Sequence, residues 1–120
     1  MTKILVVDDT PSTRQLISGY LQDGGYQVIE AEDGKEALAK AIESIPDVVI
    51  TDVVMPGMNG FELCRSLKKK PETQGAKIVV CTSKNQDIDR LWGMRQGADI
   101  YLTKPFTKDD IMQAITSLNL

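Results

Sequence analysis

The chain has 120 residues, 42% of them hydrophobic and 26% charged, enough for one domain with a real core and too short for two ordinary ones. Its net charge of −3 argues against nucleic acid as a main partner, and no apolar run approaches the roughly 18 residues needed to span a bilayer. There is no histidine and there are only two cysteines, Cys64 and Cys81, which excludes Ser-His-Asp and Cys-His nucleophiles, a phosphohistidine, ordinary zinc sites and a disulfide framework. Met1-Thr2-Lys3 runs straight into a strand-like segment without a signal-peptide pattern, so the expected location is the cytoplasm, with no membrane insertion.

Short β-type runs alternate with amphipathic helical runs. Ile4 to Val7 is a continuous apolar run ending in Asp8-Asp9. Thr10-Pro11 reads as an N-cap followed by proline at the first helical position. Leu16, Ile17, Tyr20 and Leu21 follow at helical spacing, and Gly24-Gly25 stops that helix. Tyr26 to Ala31 is the second strand. Asp33 to Glu36 has capping-box spacing, with Ala37, Leu38, Ala41 and Ile42 as the buried face of the next helix and Pro46 beyond its end. Val48 to Ile50 is the third strand and delivers Asp52.

Met55-Pro56-Gly57 is a loop. Phe61, Leu63, Cys64 and Leu67 mark a third helix closing in Lys68-Lys69-Lys70, where cations suit the helix dipole. Ile78 to Cys81 is a fourth strand ending in Thr82-Ser83. Ile88, Leu91, Trp92 and Arg95 mark a fourth helix stopped by Gly97. Trp92 lies on the apolar stripe of that helix and is expected partly in the core, the alternative being a surface anchor for a partner. Ile100 to Leu102 is a short fifth strand before Lys104-Pro105. Thr107 to Asp110 is another capping box, and Ile111, Ala114, Ile115 and Leu118 face the last helix inward.

Five strand-then-helix units, with strands apolar on both faces and short connections, predict one α/β domain over residues 1–120: a doubly wound parallel sheet covered by helices on each side. The start at Met1 and the capped last helix suggest a complete small protein.

Ligands of open α/β sheets bind beyond the carboxyl ends of the strands. Asp8 and Asp9 end the first strand, Asp52 the third, Thr82 and Ser83 the fourth, and Lys104 follows the fifth. A single strand-end Asp is usually a turn former or a cap. An acidic pair, a third Asp, a hydroxyl and a lysine at one predicted edge are harder to explain that way. Two carboxylates about 4 Å apart repel by about 4 kcal/mol at an effective dielectric of ~20. Three therefore call for cations. Lys104 supplies one charge, and with only oxygen donors on offer Mg²⁺ is the natural other. Carboxylates, Mg²⁺, a lysine and a hydroxyl suit phosphoryl chemistry with a carboxylate nucleophile.

Over its whole length the chain resembles the receiver domain of two-component response regulators. The resemblance rests on Val-Val-Asp8-Asp9, on Asp52-Val-Val-Met-Pro-Gly-Met-Asn-Gly60, on Cys-Thr82-Ser83, and on Gly-Ala-Asp-Ile-Tyr101-Leu-Thr-Lys104-Pro105-Phe. It implies the flavodoxin-like strand order 2-1-3-4-5 with five helices. It also implies that Asp52 accepts a phosphoryl group from a sensor histidine kinase or its phosphotransfer domain. Asp9 would ligate Mg²⁺ directly and Asp8 mostly through water, with Asp52 and the Val54 carbonyl completing the protein ligands. Lys104 would pair with the phosphoryl group. Thr82 would turn its hydroxyl onto it, assisted by the backbone N–H groups of Val54 and Ser83. Tyr101 would be the aromatic switch that turns inward once Thr82 moves, reporting to a protein target on the face formed by the fourth helix, fifth strand and fifth helix. The Lys104–Pro105 bond is expected to be cis.

Ser83 stands where the family more often has alanine, which leaves its backbone role intact. Val54 and Lys84 occupy positions that tune phosphoryl lifetime in the family. Val54 has no side-chain amide to orient water, which suggests slow autodephosphorylation. Asp89 to Ala98 is similar to single-domain, chemotaxis-like regulators of twitching motility and phototaxis. Two other readings remain at this point. One is a carboxylate-nucleophile phosphatase, although Asp8-Asp9-Thr10 lacks the Asp-x-Asp spacing of that class. The other is a receiver-like binding module that never takes phosphate, against which the intact acidic residues, Thr82 and Lys104 argue.

Overall fold

The computed structural model describes all of residues 1–120. Strands and helices alternate as β1 (Lys3–Val7), α1 (Pro11–Asp23), β2 (Gln27–Ala31), α2 (Gly34–Ser44), β3 (Val48–Thr51), α3 (Gly60–Lys69), β4 (Lys77–Thr82), α4 (Asp87–Arg95), β5 (Ile100–Thr103) and α5 (Lys108–Ser117). Every strand pair is parallel, and the sheet order is β2-β1-β3-β4-β5. The expected doubly wound, flavodoxin-like arrangement is the one observed.

The continuous apolar strands are explained by the two-residue period of side-chain direction. Leu5, Val7, Val49, Ile78 and Val80 pack on the side of α2 and α3, against Ala37, Ala41, Leu63, Cys64 and Leu67. Their neighbours Ile4, Val6, Val48, Ile50, Val79 and Cys81 pack on the other side, against Ile17 and Leu21 of α1 and Ile111 and Ile115 of α5. Ile50 sits in the middle of this second layer and is fully enclosed, so truncation to alanine would cost about 2–5 kcal/mol.

Helix starts follow local chemistry, with differences from the sequence reading. Thr107 and Asp110 form the expected reciprocal box at α5. Asp33 accepts the Glu36 amide at 2.7 Å, but the Glu36 carboxylate reaches the amide of Glu32 rather than that of Asp33. Thr10 occupies the N-cap position without using its hydroxyl. Its own amide donates to Asp8 Oδ1 at 2.9 Å instead. The Asn59–Glu62 box at the start of α3 was not anticipated.

Two apolar stripes are narrower than their spacing predicts. In α1 the buried arc is Ile17, Ser18 and Leu21, and Leu16 faces outward. In α2 the small residues Ala37 and Ala41 meet the sheet, and Ile42, about 100° round the helix from Ala41, lies at the margin. The larger departure is α4. Its only buried residue is Gly93, while Ile88, Leu91, Trp92 and Met94 are all exposed. The stripe is real, but it points away from the sheet.

Candidate functional site

In the order β2-β1-β3, the chain reverses direction across the sheet between β1 and β3, the kind of crevice in which open α/β folds bind ligands. Parallel register aligns Val7 with Thr51 and Thr51 with Val80. The next residues, Asp8 and Asp52, therefore emerge side by side. Asp8 is 1% exposed and Asp52 9%. Asp9 is exposed and makes no hydrogen bond or ion pair within the chain. One carboxylate oxygen from each of Asp8, Asp9 and Asp52 falls within 4.8 Å of the others.

Lys104 comes in from the end of β5. Its Nζ donates to Asp52 Oδ2 at 2.9 Å and to Asp8 Oδ2 at 3.0 Å. Burial disfavours the ammonium, but the hydrogen bonds and charges of Asp52 and Asp8 outweigh it and hold the lysine pKa above its ordinary value. The Lys104–Pro105 peptide is cis, as expected. Asp52 is held on both oxygens, since Oδ1 accepts the Val53 amide at 2.6 Å and the Val54 amide at 3.3 Å. Three carboxylates against one ammonium leave local negative charge, and the donors are hard oxygens. That set fits Mg²⁺, with Asp8, Asp9 and Asp52 as the side chains that would hold it.

Thr82 is fully buried at the end of β4, and its hydroxyl accepts the Lys84 amide at 3.3 Å. Ser83, Lys84 and Val54 are exposed at the mouth of the site. The Tyr101 ring already lies inward, its hydroxyl donating to the Lys84 carbonyl at 2.9 Å while the Thr82 hydroxyl still accepts from Lys84, so the expected order, Thr82 moving first and the ring following, is not the one seen. The Lys84 backbone thus touches Thr82 through its N–H and Tyr101 through its carbonyl, on the two peptide groups that flank its Cα. The Arg90 guanidinium lies 5.4 Å from the Tyr101 ring centroid and donates to the Tyr101 carbonyl at 3.2 Å. Burial, with Asp89 adding and Arg90 opposing, raises the Tyr101 phenol above its usual pKa.

All the residues singled out at strand ends therefore gather at one edge of the sheet. Sequence reasoning named Gly60 only as the end of the Asp52 motif and missed its role, which is one of shape. A β-carbon there would collide with the Asp52 carbonyl oxygen and come within 2.9 Å of both the Asp52 carbonyl carbon and Val53 Cα. Its amide also donates to the Val53 carbonyl at 2.9 Å. The first turn of α3 thus abuts the backbone that carries Asp52. A glycine directly after the N-cap Asn59 was the available signal.

The fold and this cluster define a doubly wound α/β domain with a carboxylate–lysine site at the ends of its central strands. The family model for the response regulator receiver domain matches residues 4–116. Protein PilH of Pseudomonas aeruginosa is 42% identical over 118 residues, covering 98% of each chain. ResD of Bacillus subtilis, a transcriptional regulatory protein, is 38% identical, and there the match spans 98% of this chain but 48% of the relative. The solved structure of the chemotaxis protein CheY4 of Vibrio cholerae superposes with a TM-score of 0.93 at 38% identity, covering 98% of each chain. The chain belongs to the response regulator receiver family. A receiver domain is a phosphoacceptor of two-component signalling and not a catalytic enzyme. No helix is long and apolar enough to cross a membrane.

Proposed function

We propose that this protein accepts a phosphoryl group on Asp52 from a phosphohistidine of a sensor kinase or its phosphotransfer domain, and that the product changes the surface offered to a protein target. A carboxylate oxygen of Asp52 forms the new O–P bond as the P–N bond to the donor imidazole breaks, leaving a neutral imidazole once it has taken up a proton. Asp9, Asp52 and the Val54 carbonyl would hold Mg²⁺ directly and Asp8 mostly through water, and the bound ion would neutralise charge on the carboxylates and the phosphoryl oxygens. Lys104 moves from its carboxylate partners to pair with the phosphoryl group. Thr82 and the backbone N–H groups of Val54 and Ser83 donate to the phosphoryl oxygens. Tyr101 reports the change to the face of α4, β5 and α5, where the exposed Leu91 and Trp92 offer a partner apolar anchors.

The observation that carries this reading is the placement of Asp52 between Lys104 Nζ at 2.9 Å and a second and third carboxylate within 4.8 Å. The likeness to a chemotaxis protein, together with the Asp89–Ala98 stretch, supports a role in taxis or motility, exercised in the cytoplasm.

Incubation with acetyl phosphate and Mg²⁺, followed by intact mass measurement, tests the proposal. The expected result is one added phosphoryl group, absent without the metal and absent in Asp52→Asn. An unmodified mass at every Mg²⁺ concentration, or an adduct that survives Asp52→Asn, overturns it.

A further inference from the structure

We infer that Gly93 is a positioning residue: the bare backbone at this point of α4 forms the slot that admits the Tyr101 ring, so that seating the ring and seating the helix are one contact. The inference deepens the reading of Tyr101 as the reporter of phosphorylation, and rests on it for its consequence in signalling.

Glycine is among the poorest residues for a helix interior and alanine the best, so a glycine in the seventh position of α4 works against the helix that contains it. Packing supplies a reason for it. A β-carbon at residue 93 would stand 2.8 Å from Cδ2 and 2.9 Å from Cε2 of Tyr101, and 3.2 Å from Cε1 of Phe61. Carbon atoms in favourable contact sit about 3.5–4 Å apart. The ring has little room to yield. Its hydroxyl is tied to the Lys84 carbonyl at 2.9 Å, Arg90 covers it at 5.4 Å, and Phe61 lies beside the slot. With a β-carbon at 93, either the ring leaves the slot or α4 lifts from the sheet.

The contact matters because α4 has so little else. No other residue of the helix is buried, and the side-chain hydrogen bonds that tie the helix and its C-cap to the body run from Arg90 to the Tyr101 carbonyl and from Arg65 to the C-cap Gln96. The slot also lies on the path to Thr82, through the backbone of Lys84, whose N–H meets Thr82 and whose carbonyl meets Tyr101. None of the three atoms nearest a β-carbon at residue 93 belongs to Asp8, Asp9, Asp52 or Lys104. Phosphoryl uptake and ring placement can therefore be separated by substitution at this residue.

A double-mutant cycle on the full chain provides the test. Gly93→Ala is expected to lower Tm by about 3 °C or more when Tyr101 is present. In the Tyr101→Ala background the ring is gone, Phe61 Cε1 at 3.2 Å can shift into the space it leaves, and the helix-favouring effect of the same substitution is expected to raise Tm. The chain labelled with 3-fluorotyrosine gives a readout specific to the ring. The Tyr101 signal is assigned by its loss in Tyr101→Phe, and its ¹⁹F solvent isotope shift between H₂O and D₂O is expected to rise from a buried to an exposed value in Gly93→Ala. Phosphorylated with acetyl phosphate, Gly93→Ala is expected to take up the group to wild-type extent while the Tyr101 signal stays at its exposed position. The inference is overturned if Gly93→Ala changes Tm in the same direction in both backgrounds, if the double variant fails to fold, or if the ring stays buried. Failure of phosphorylation in the wild type would instead remove the proposed function and leave the slot standing.

Discussion

Lys104 Nζ lies 2.9 Å from Asp52 Oδ2, and that single ammonium is the only cationic side chain bonded to the three-carboxylate cluster. It also holds Asp8, which is almost without solvent. Removing one partner of a buried pair typically costs ~3–5 kcal/mol, and the partial solvation of Lys104 reduces that. Lys104→Met is therefore expected to lose about 2 kcal/mol of stability without metal, with Mg²⁺ restoring part of it. Asp9→Asn acts in the opposite sense. It relieves repulsion, is expected to gain from a few tenths to about 1 kcal/mol without metal, and loses most of the stabilisation by Mg²⁺. Urea unfolding in chelator and in excess Mg²⁺ measures both. A metal-independent loss in Lys104→Met would show that the lysine acts by packing and not by charge.

Gly60→Ala places a methyl group against the backbone of Asp52 and Val53, which cannot swing aside as a side chain would. A loss of about 3 kcal/mol or more is expected, with slower phosphoryl uptake although no charged residue has changed. Unfolding measurements paired with the rate of acetyl phosphate labelling check this. Wild-type values for both would mean the loop can retreat.

Burial raises the thiols of Cys64 and Cys81 to pKa values of about 12, from 9.0 when unperturbed. Both are thus expected to resist Ellman's reagent at pH 8 in the native protein and to react fully in denaturant. The sign of the linkage follows. Between pH 9 and 12 the unfolded chain has released these protons while the native chain keeps them, so stability falls as pH rises through that window. Below pH 9 both states hold the protons, and the thiols contribute no pH dependence. Native reactivity near that of free cysteine would contradict the buried placement.

Ile45 closes α2 at φ 51°, a left-handed conformation that disfavours a β-branched side chain. Its side chain is largely exposed, so little packing is lost on replacement. Ile45→Asn or Ile45→Gly is expected to gain about 1 kcal/mol. A lower Tm in both variants would count against strain at this turn.

Val54 stands exposed beside Asp52 and has no side-chain amide with which to orient water. The phosphorylated protein is expected to decay slowly, and Val54→Asn to shorten its lifetime several-fold. Loss of the phosphoryl mass with time gives both rates. A wild-type half-life of a few seconds would remove the basis for this expectation.

The parallel fold and its active edge were legible because their signals are local. Apolar runs such as Ile4 to Val7 announce strands buried on both faces, and each strand-helix unit sends its strand end to the same edge, so Asp8, Asp52, Thr82 and Lys104 could be grouped from their places in the sequence. The direction of the α4 stripe could not be read in this way. Ile88, Leu91 and Trp92 have the spacing of a core face. Only the position of Gly93 against Tyr101 shows that the helix rests on its glycine and turns those side chains outward.

The sequence by itself determined the chemistry available: oxygen ligands without histidine, one lysine at the right strand end, and a hydroxyl beside it. Tertiary structure alone decided which of these groups meet. Lys104 and Asp8 lie 96 residues apart along the chain and 3.0 Å apart in space. It also decided where side chains are forbidden, at Gly60 and Gly93. Residue spacing encodes direction along an element, whereas the distance between two elements is set by the volume of everything packed between them.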